Sequence, residues 1–106
     1  WATQNNVCLP TIPEHCESAY HAFYLLMPSL NVRTHFIKYL KENGISAVFH
    51  YLPLHKSEMG RKLGGEQYYC PVTEDISDRL VRLPFFNDIS KEELVVVIEA
   101  IQYYAV

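Results

Sequence analysis

The chain has 106 residues, of which 49% are hydrophobic and 20% charged, and its formal net charge is −3. This length supports one hydrophobic core, and the composition excludes a disordered or collagen-like chain. Nine basic side chains against twelve acidic ones argue against nonspecific nucleic-acid binding, which depends on clustered cations. The three cysteines are odd in number and irregularly spaced, which favours reduced thiols and a cytoplasmic protein.

Neither a membrane span nor a signal peptide is predicted. The longest apolar runs, 23–27 and 94–98, are far shorter than the roughly 20 residues that cross a bilayer. No basic segment precedes an apolar one near the first residue. The chain opens on Trp1 and not on Met, which favours a segment of a longer protein.

Residues 1–19 are predicted to be a lead-in segment from an upstream domain, and 20–106 the domain itself. Pro10 and Pro13 exclude a regular helix or a central strand in the lead-in. We expect its apolar residues, Val7, Leu9 and Ile12, to form part of a patch that packs against a larger domain.

Two strands flank the first predicted helix. Residues 20–27 are rich in aromatic side chains and end at Pro28, which predicts a strand. Apolar residues at helical spacing predict a helix over 32–43, with Asn31 as the N-cap and Gly44 as a left-handed residue after the helix. Residues 45–49 are predicted to be a short buried strand.

The stretch 50–71 is the least regular part of the chain. Pro53 interrupts it, although 56–63 is compatible with a helical turn or two. Gly60, Gly64 and Gly65 lack the ending of a phosphate-binding loop and are predicted to be hinge or turn residues. A helix over 72–80 and a brief strand over 81–83 are predicted to follow.

The last helix has the clearest start signal. Ser90 and Glu93 match a capping box, and Ile89 and Leu94 match a hydrophobic staple. The apolar residues predicted to share one helix face are Leu94, Val97, Ile98 and Ile101. The order of elements predicts an α+β fold, a small sheet with helices mainly on one face or a split β-α-β variant. Whether the first two strands are parallel stays open.

The densest group of reactive side chains follows the second predicted strand. His50, Tyr51, His55 and Lys56 surround Pro53, which would stiffen the turn. Two imidazoles, a phenol and an ammonium can hydrogen-bond to phosphate or sugar oxygens, and loops at strand ends often hold ligands. The alternative is structural, with His50 and Tyr51 closing the core and His55 simply solvated.

Other chemistry is less well supported by the sequence. His50 and His55 do not have the spacing of zinc ligands on a helix, and no Cys-x-x-Cys motif occurs, so no metal site is predicted. Cys70 lacks a surrounding nucleophile signature and is predicted to be a buried or inert thiol. The acidic residues predicted to lie on a solvated face are Glu14, Glu17, Glu74 and Asp75.

Four motifs occur in a specific order: AVFHYLPLH at 47–55, CPVTEDIS at 70–77, RLPFF at 82–86, and SKEEL at 90–94. Together with the apolar pair at 97–98 they resemble the C-terminal domain of the DegT/DnrJ/EryC1/StrS sugar aminotransferases. The resemblance covers about residues 7–104. It implies a fold-type I aminotransferase in which an upstream large domain binds pyridoxal 5′-phosphate (PLP) through a lysine Schiff base.

In that family a small α+β domain closes over the substrate, and this chain resembles that C-terminal small domain. The resemblance implies glutamate as amino donor and a nucleotide-linked 4-keto-6-deoxy sugar as acceptor. The implied partners are the upstream large PLP-binding domain, the nucleotide-sugar substrate and a second copy of the parent in a homodimer. Neither nucleic acid nor a membrane is expected as a partner.

The resemblance also assigns residues. His50, Tyr51 and His55 occupy family positions at the mouth of the active site and are predicted to bind substrate. Lys56 and Arg61 are further candidates for phosphate contacts, although no motif fixes them. Many relatives have a proline and an aromatic soon after the second histidine, whereas SEM stands here at 57–59.

No catalytic residue is predicted in this chain. The lysines, none of which stands in the family's Schiff-base context, are Lys38, Lys41, Lys56, Lys62 and Lys91. We therefore expect the chain by itself to bind no PLP covalently and to be inactive. The alternative to an aminotransferase fragment is a free-standing α+β interaction or regulatory module without catalysis.

Overall fold

The computed structural model describes all 106 residues, Trp1–Val106. The strands are β1 (Tyr24–Leu26), β2 (Val48–Phe49) and β3 (Leu80–Arg82), and the helices are α1 (Leu30–Glu42), α2 (Glu58–Lys62), α3 (Pro71–Arg79) and α4 (Lys91–Tyr103). Single 3-10 turns occupy Thr3–Asn5, Leu54–Lys56 and Gly65–Gln67. The predicted α+β fold class is confirmed.

The sheet answers the question of strand direction. β3 lies in the middle and pairs antiparallel with both β1 and β2, so β1 and β2 run in the same direction without touching. Val81 and Arg82 each pair on both sides, with Val81 opposite Leu25 in β1 and Phe49 in β2. The chain β1-α1-β2 with a third strand inserted between is the split β-α-β arrangement.

The core lies between one face of the sheet and the helices. β1 and β3 contribute Leu25 and Val81, α1 contributes Phe36 and Leu40, and α4 contributes Val97. Side chains that alternate with these along the strands remain partly exposed, because successive strand residues point to opposite faces. The helices therefore cover mainly one face of the sheet.

The first two predicted strands are longer than the observed ones, whereas the third has its predicted length and begins one residue earlier. All three residues of β3 pair with β1, whereas only Val81 and Arg82 pair with β2, so β1 has three residues and β2 has two. Tyr20 also has a left-handed φ of 45°, which interrupts an extended chain before β1. The expectation of a buried second strand is wrong, because Val48 and Phe49 are 49% and 47% exposed and the buried residues Ile45 and Ala47 lie before the strand.

Helix α1 begins two residues earlier than predicted. Its N-cap is Ser29, whose hydroxyl accepts a hydrogen bond from the Val32 N–H at 3.3 Å, and the assignment of Asn31 as cap is wrong. Serine and asparagine are equally good caps, so the composition of this stretch did not discriminate between them. Gly44 has the predicted left-handed φ, at 76°.

The start of α4 is confirmed, but its predicted buried face is wrong at two positions. Ser90 and Glu93 form the capping box, with the Glu93 N–H donating to Ser90 Oγ at 3.1 Å. Leu94 and Ile98 are 45% and 43% exposed, whereas Val97 is buried. Helix α4 is rotated so that Val97 and the residues one and two turns later meet the core.

The first residues of the chain pack into the same core. The Trp1 indole N–H donates to the Tyr104 carbonyl oxygen at 2.9 Å, and both rings lie against Phe36. Burial raises the pKa of the Tyr104 phenol. Val7 is only 6% exposed, so the expectation that it faces a neighbouring domain is wrong.

The other lead-in residues behave differently from Val7. Leu9 and Ile12 are 54% and 47% exposed. Cys8 pairs with Leu26 through an isolated antiparallel bridge, so the lead-in touches the outer edge of β1. That this segment belongs to an upstream domain, and that its exposed residues pack there, stays a prediction.

Two of the three central glycines allow the backbone to pack closely. A Cβ on Gly60 would lie 1.8 Å from the Leu54 carbonyl oxygen, and one on Gly65 would lie 2.7 Å from the His55 carbonyl oxygen. The expectation of a hinge or turn role is therefore wrong for Gly60, which lies inside α2, whereas Gly65 begins the turn Gly65–Gln67 as expected. Both glycines let their segments pack against the turn Leu54–Lys56. Gly64 is a turn residue, with a φ of 82°.

We expect Gly60→Ala to lower the free energy of unfolding by about 2 kcal/mol, because the added methyl overlaps a backbone carbonyl that cannot rotate away. Urea denaturation of the two chains measures the difference. Met59→Ala, in the same helix and 64% exposed at the wild-type side chain, is the control and should change stability by less than about 0.5 kcal/mol. Equal effects of the two substitutions would contradict the close approach.

Candidate functional site

Helix α3 holds the loop that carries the predicted site. The Ser77 hydroxyl donates to the Tyr51 carbonyl oxygen at 2.9 Å. One turn earlier on the same helix face, Glu74 reaches His55 and Lys56. The loop from Tyr51 to Lys56 is therefore attached to α3 at both ends.

Glu74 uses its two carboxylate oxygens separately. His55 Nε2 lies 2.9 Å from Oε1, and Lys56 Nζ donates to Oε2. The side chains of His55 and Glu74 are only 12% and 22% exposed, and that of Lys56 is 49% exposed. Since a carboxylate only accepts, Nε2 carries the proton, and a neutral His55 ring keeps Nδ1 as an acceptor.

The contacts of Glu74 favour its ionised form. The hydrogen bonds from Lys56 and then from His55 hold the pKa of the Glu74 carboxyl below its ordinary value of 4.5, although partial burial opposes them. Glu74 also lies in the first turn of α3, where the helix dipole favours a negative charge. Glu74 is therefore an anion at neutral pH.

This group lines a polar cleft of about 530 Å³. Arg61 stands across it with Nε 3.8 Å from Glu66 Oε1, and the wall is completed by Gln67, Tyr68 and Tyr69. Lys56 lies close to the carboxylate of Glu74 and Arg61 to that of Glu66, so the positive and negative charges of the cleft nearly balance. It offers hydrogen-bond donors and acceptors together, which suits a ligand rich in hydroxyl groups.

The structure separates the predicted site residues into two groups. His55, Lys56 and Arg61 share the polar cleft. His50 and Tyr51 lie edge to face, with ring centroids 4.6 Å apart, in a second groove of about 460 Å³ against the apolar side of α3. The sequence did not predict this division.

The expectation that His50 and Tyr51 close the core and that His55 is simply solvated is wrong. Tyr51 is 72% exposed and His50 is exposed, so neither closes the core. The His55 side chain is largely covered and hydrogen-bonded, so it is not simply solvated. The loop thus presents polar groups at the surface on a well-supported backbone.

Glu74 is the residue that sequence reasoning missed. It was predicted to lie on a solvated face, and that expectation is wrong because it contacts His55 and Lys56. Glu74 and Ser77 are three residues apart in a predicted helix, a spacing that indicates a shared face. Nothing in the sequence indicates that this face meets the loop.

No three histidine, cysteine, aspartate or glutamate side chains in the structure come together as metal ligands. Cys8 and Cys16 are exposed, Cys70 is partly buried, and all three thiols are free. None of the helices combines the length and the apolar character that crossing a bilayer requires.

Comparison with known proteins identifies the family. Residues 2–102 match the model of the DegT/DnrJ/EryC1/StrS aminotransferase family. The chain therefore belongs to this family, whose members depend on PLP, and the resemblance inferred from the motifs is confirmed.

Two curated relatives act on nucleotide sugars by name. The chain is 31% identical over 97 residues to dTDP-3-amino-3,6-dideoxy-alpha-D-galactopyranose transaminase of Aneurinibacillus thermoaerophilus, covering 91% of this chain and 25% of the relative. It is 30% identical over 84 residues to UDP-N-acetyl-3-dehydro-alpha-D-glucosamine 3-aminotransferase of Acidithiobacillus ferrooxidans, covering 78% of this chain and 22% of the relative. The chain thus spans about a quarter of these relatives.

Solved structures of aminotransferases have the same fold. The aminotransferase TlmJ from Streptoalloteichus hindustanus superposes with a TM-score of 0.79 at 23% identity, over 91% of this chain and 25% of that one. The PLP form of Spr1654 from Streptococcus pneumoniae, a provisionally assigned sugar aminotransferase, gives 0.78 at 25% identity, over 92% and 26%. These proportions are consistent with a C-terminal small domain of a larger aminotransferase.

The pKa of Glu74 predicts an acid-dependent stability. A carboxyl whose pKa is lower in the folded than in the unfolded chain contributes stability above its ordinary pKa, and this is lost as the pH falls through the folded value. We expect the free energy of unfolding to fall below about pH 5, and Glu74→Gln to reduce that fall. Denaturant titrations at several pH values measure both.

Glu93→Gln is the matched comparison, since hydrogen bonds from Ser90 also lower the pKa of the Glu93 carboxyl. It should remove a separate part of the same acid dependence. Glu99→Gln, at an exposed position on α4, should leave the profile close to that of the wild type. A Glu74→Gln profile identical to the wild type would contradict the contacts of Glu74.

Proposed function

We propose that this chain is the C-terminal small domain of a PLP-dependent aminotransferase that transfers an amino group from glutamate to a nucleotide-linked 4-keto-6-deoxy sugar. The domain closes over the substrate, and the polar cleft around His55 contacts it. The observation that carries this proposal is the position of the family motif, whose second histidine lies in the wall of that cleft. The family match supports the reaction type.

The composition of the cleft supports a sugar as the group bound there. Sugar hydroxyls both donate and accept hydrogen bonds. Lys56 supplies donors and Glu74, beside it, supplies acceptors. Arg61 pairs with Glu66 at 3.8 Å, more loosely than Lys56 pairs with Glu74, and its side chain is largely exposed. Arg61 is therefore the cation more available to a phosphate. Lys56 is the second phosphate candidate, with half of its side chain exposed.

His50 and Tyr51 bind the same substrate from the neighbouring groove in this proposal. Their groove also contains apolar side chains of α3, including Val72 and Ile76. An aromatic and apolar surface beside a polar cleft fits a ligand with a polar and a less polar part. A 6-deoxy sugar joined to a nucleotide has both.

The proposal also assigns the position of the keto group on the sugar. We propose a 4-keto sugar because the motifs of this chain resemble those of dTDP-4-amino-4,6-dideoxygalactose transaminase of enterobacterial common antigen synthesis. Both relatives described above are named for a nitrogen at position 3. A panel of nucleotide 3-keto and 4-keto sugars, assayed with the intact protein and glutamate, decides between them.

The residues of this chain do not fit covalent attachment of PLP. Lys56 is the only lysine in the polar cleft, and its Nζ is engaged by Glu74, while the other four lysines are exposed. When bound, PLP supplies an electron sink for the amino transfer. We propose that the Schiff-base lysine and the acidic partner of the pyridine nitrogen belong to the upstream large domain, in a cytoplasmic homodimer.

We expect the 106-residue chain, mixed with PLP and reduced with borohydride, to give only scattered low-level labelling of surface lysines. The physical reason is that no lysine sits unpaired in an enclosed site. Absorbance spectra and peptide mass mapping measure the adduct. A stoichiometric adduct at one lysine would refute this part of the proposal.

In the intact protein, we expect His55→Ala and His50→Ala to raise KM for the sugar nucleotide, with about a tenfold effect for His55, because each loses a polar contact. The PLP absorbance spectrum should not change. His35→Ala, at an exposed position on α1, is the control. Kinetics unchanged in both loop variants would return this loop to a structural role.

The second candidate is a free-standing interaction module without catalysis. It is favoured by apolar side chains around the loop, since Leu52, Leu54 and Val72 are 63%, 85% and 75% exposed. The same surface would suit docking onto the large domain of an aminotransferase. The reading frame before Trp1 separates the two, because a large domain with a lysine following a strand favours the aminotransferase.

A further inference from the structure

We propose that Glu74 is the positioning residue of the sugar-nucleotide site, holding His55 and Lys56 in one fixed arrangement in the wall of the cleft. This inference rests on the proposed function and assigns a role to a residue outside the loop motif. Glu74 acts through the two side chains that it binds and is not itself a catalytic residue.

The geometry carries the proposal. One carboxylate accepts from two consecutive residues through different oxygens, His55 on Oε1 at 2.9 Å and Lys56 on Oε2. Two hydrogen bonds to separate oxygens define the direction of both donors, whereas a single exposed ion pair leaves its partners free to rotate. The low exposure of His55 and Glu74, 12% and 22%, limits the access of water to the His55 contact, whereas the Lys56 side chain is 49% exposed.

The backbone on both sides of the contact is fixed as well. The Glu74 N–H donates to the Cys70 carbonyl oxygen at 3.0 Å in the first turn of α3. On the other side, Gly65 packs so closely against His55 that a Cβ there would lie 2.7 Å from the His55 carbonyl oxygen. The partners of Glu74 are therefore held before any ligand arrives, which lowers the entropy lost on binding.

The hydrogen bond from His55 Nε2–H to Glu74 determines which ring atom His55 can offer to a substrate. In the neutral ring Nδ1 is then an acceptor, and no other hydrogen bond in the structure uses it. Lys56 keeps the remaining N–H donors of its ammonium group. Acceptor and donors on neighbouring residues match a sugar hydroxyl or a hydroxyl beside a phosphate.

A role limited to stability does not fit the location. None of Glu74, His55 and Lys56 belongs to the hydrophobic core or to the side chains packed against it, and all three line the cleft. The loop is also tied to α3 by the separate Ser77 bond to Tyr51. The Glu74 contacts therefore shape the cleft wall more than they support the core.

The kinetic test uses the intact protein with Glu74→Ala and Glu74→Gln. We expect Glu74→Ala to raise KM for the sugar nucleotide about tenfold, the order expected when hydrogen bonds to a charged group are lost. The half-reaction with the amino donor alone should keep its rate, because it needs no sugar. Glu74→Gln should recover part of the loss, since its amide oxygen still accepts from one donor.

Asp75→Asn is the matched control, one residue along the same helix. It removes the ion pair in which Asp75 Oδ2 accepts from Arg79 at 2.7 Å, outside the cleft. We expect it to leave KM for the sugar nucleotide within about twofold of the wild type. An unchanged KM in Glu74→Ala, or an equal rise in Asp75→Asn, would overturn the positioning role while leaving the aminotransferase proposal intact.

A second readout does not depend on activity. Nitrogen-15 NMR of the histidine rings in the 106-residue chain should show His55 as the Nε2–H tautomer when neutral, and a mixture of tautomers in Glu74→Ala. Asp75→Asn should retain the wild-type tautomer. A tautomer unaffected by Glu74→Ala would overturn the proposal.

The two readouts separate this inference from the proposed function. An intact protein that aminates no sugar nucleotide would refute the aminotransferase proposal and, with it, the sugar-nucleotide role assigned to Glu74. A tautomer effect in that case would leave Glu74 as an orienting partner of His55 alone. An active protein with normal kinetics in Glu74→Ala would refute only the positioning role.

Discussion

The attachment of one loop to helix α3 is the constraint on which the candidate site depends. Ser77 binds the backbone of Tyr51, and Glu74 binds the side chains of His55 and Lys56. The polar side chains of the loop lie outside the core cluster, so core packing does not hold them in place. Without the contacts to Glu74, the side chains of His55 and Lys56 would be free to rotate, and binding would carry the entropic cost of ordering them.

The rest of the fold brings α3 to that position. β3 follows α3 directly and pairs with both other strands, so the end of α3 is fixed by the centre of the sheet. At the far side of the core, Trp1, Phe36 and Tyr104 pack together and join the two ends of the chain. A small sheet alone would be marginal, and these aromatic contacts enlarge the core that supports it.

The balance of charge in the cleft suits a sugar better than it suits a free phosphate ion. Phosphate sites commonly combine unpaired cations or helix N-termini, whereas Lys56 and Arg61 each stand near a carboxylate. Such pairing limits the attraction for anions in general and leaves directional hydrogen bonds as the main source of specificity. Under the proposed function, that arrangement would recognise the sugar by its hydroxyl groups.

The sequence by itself determined the elements with local signals, the α+β class and the family. The capping box of α4 and the left-handed Gly44 depend on neighbouring residues only, and the ordered motifs preserve the family signature. Tertiary structure alone decided which helix faces meet which partners. The contact of Glu74 with His55 joins residues 19 positions apart, and the rotation of α4 depends on Phe36 and Tyr104. Local patterns show that a face exists, but only the packed chain specifies what lies opposite to it, because long-range contacts depend on the whole core.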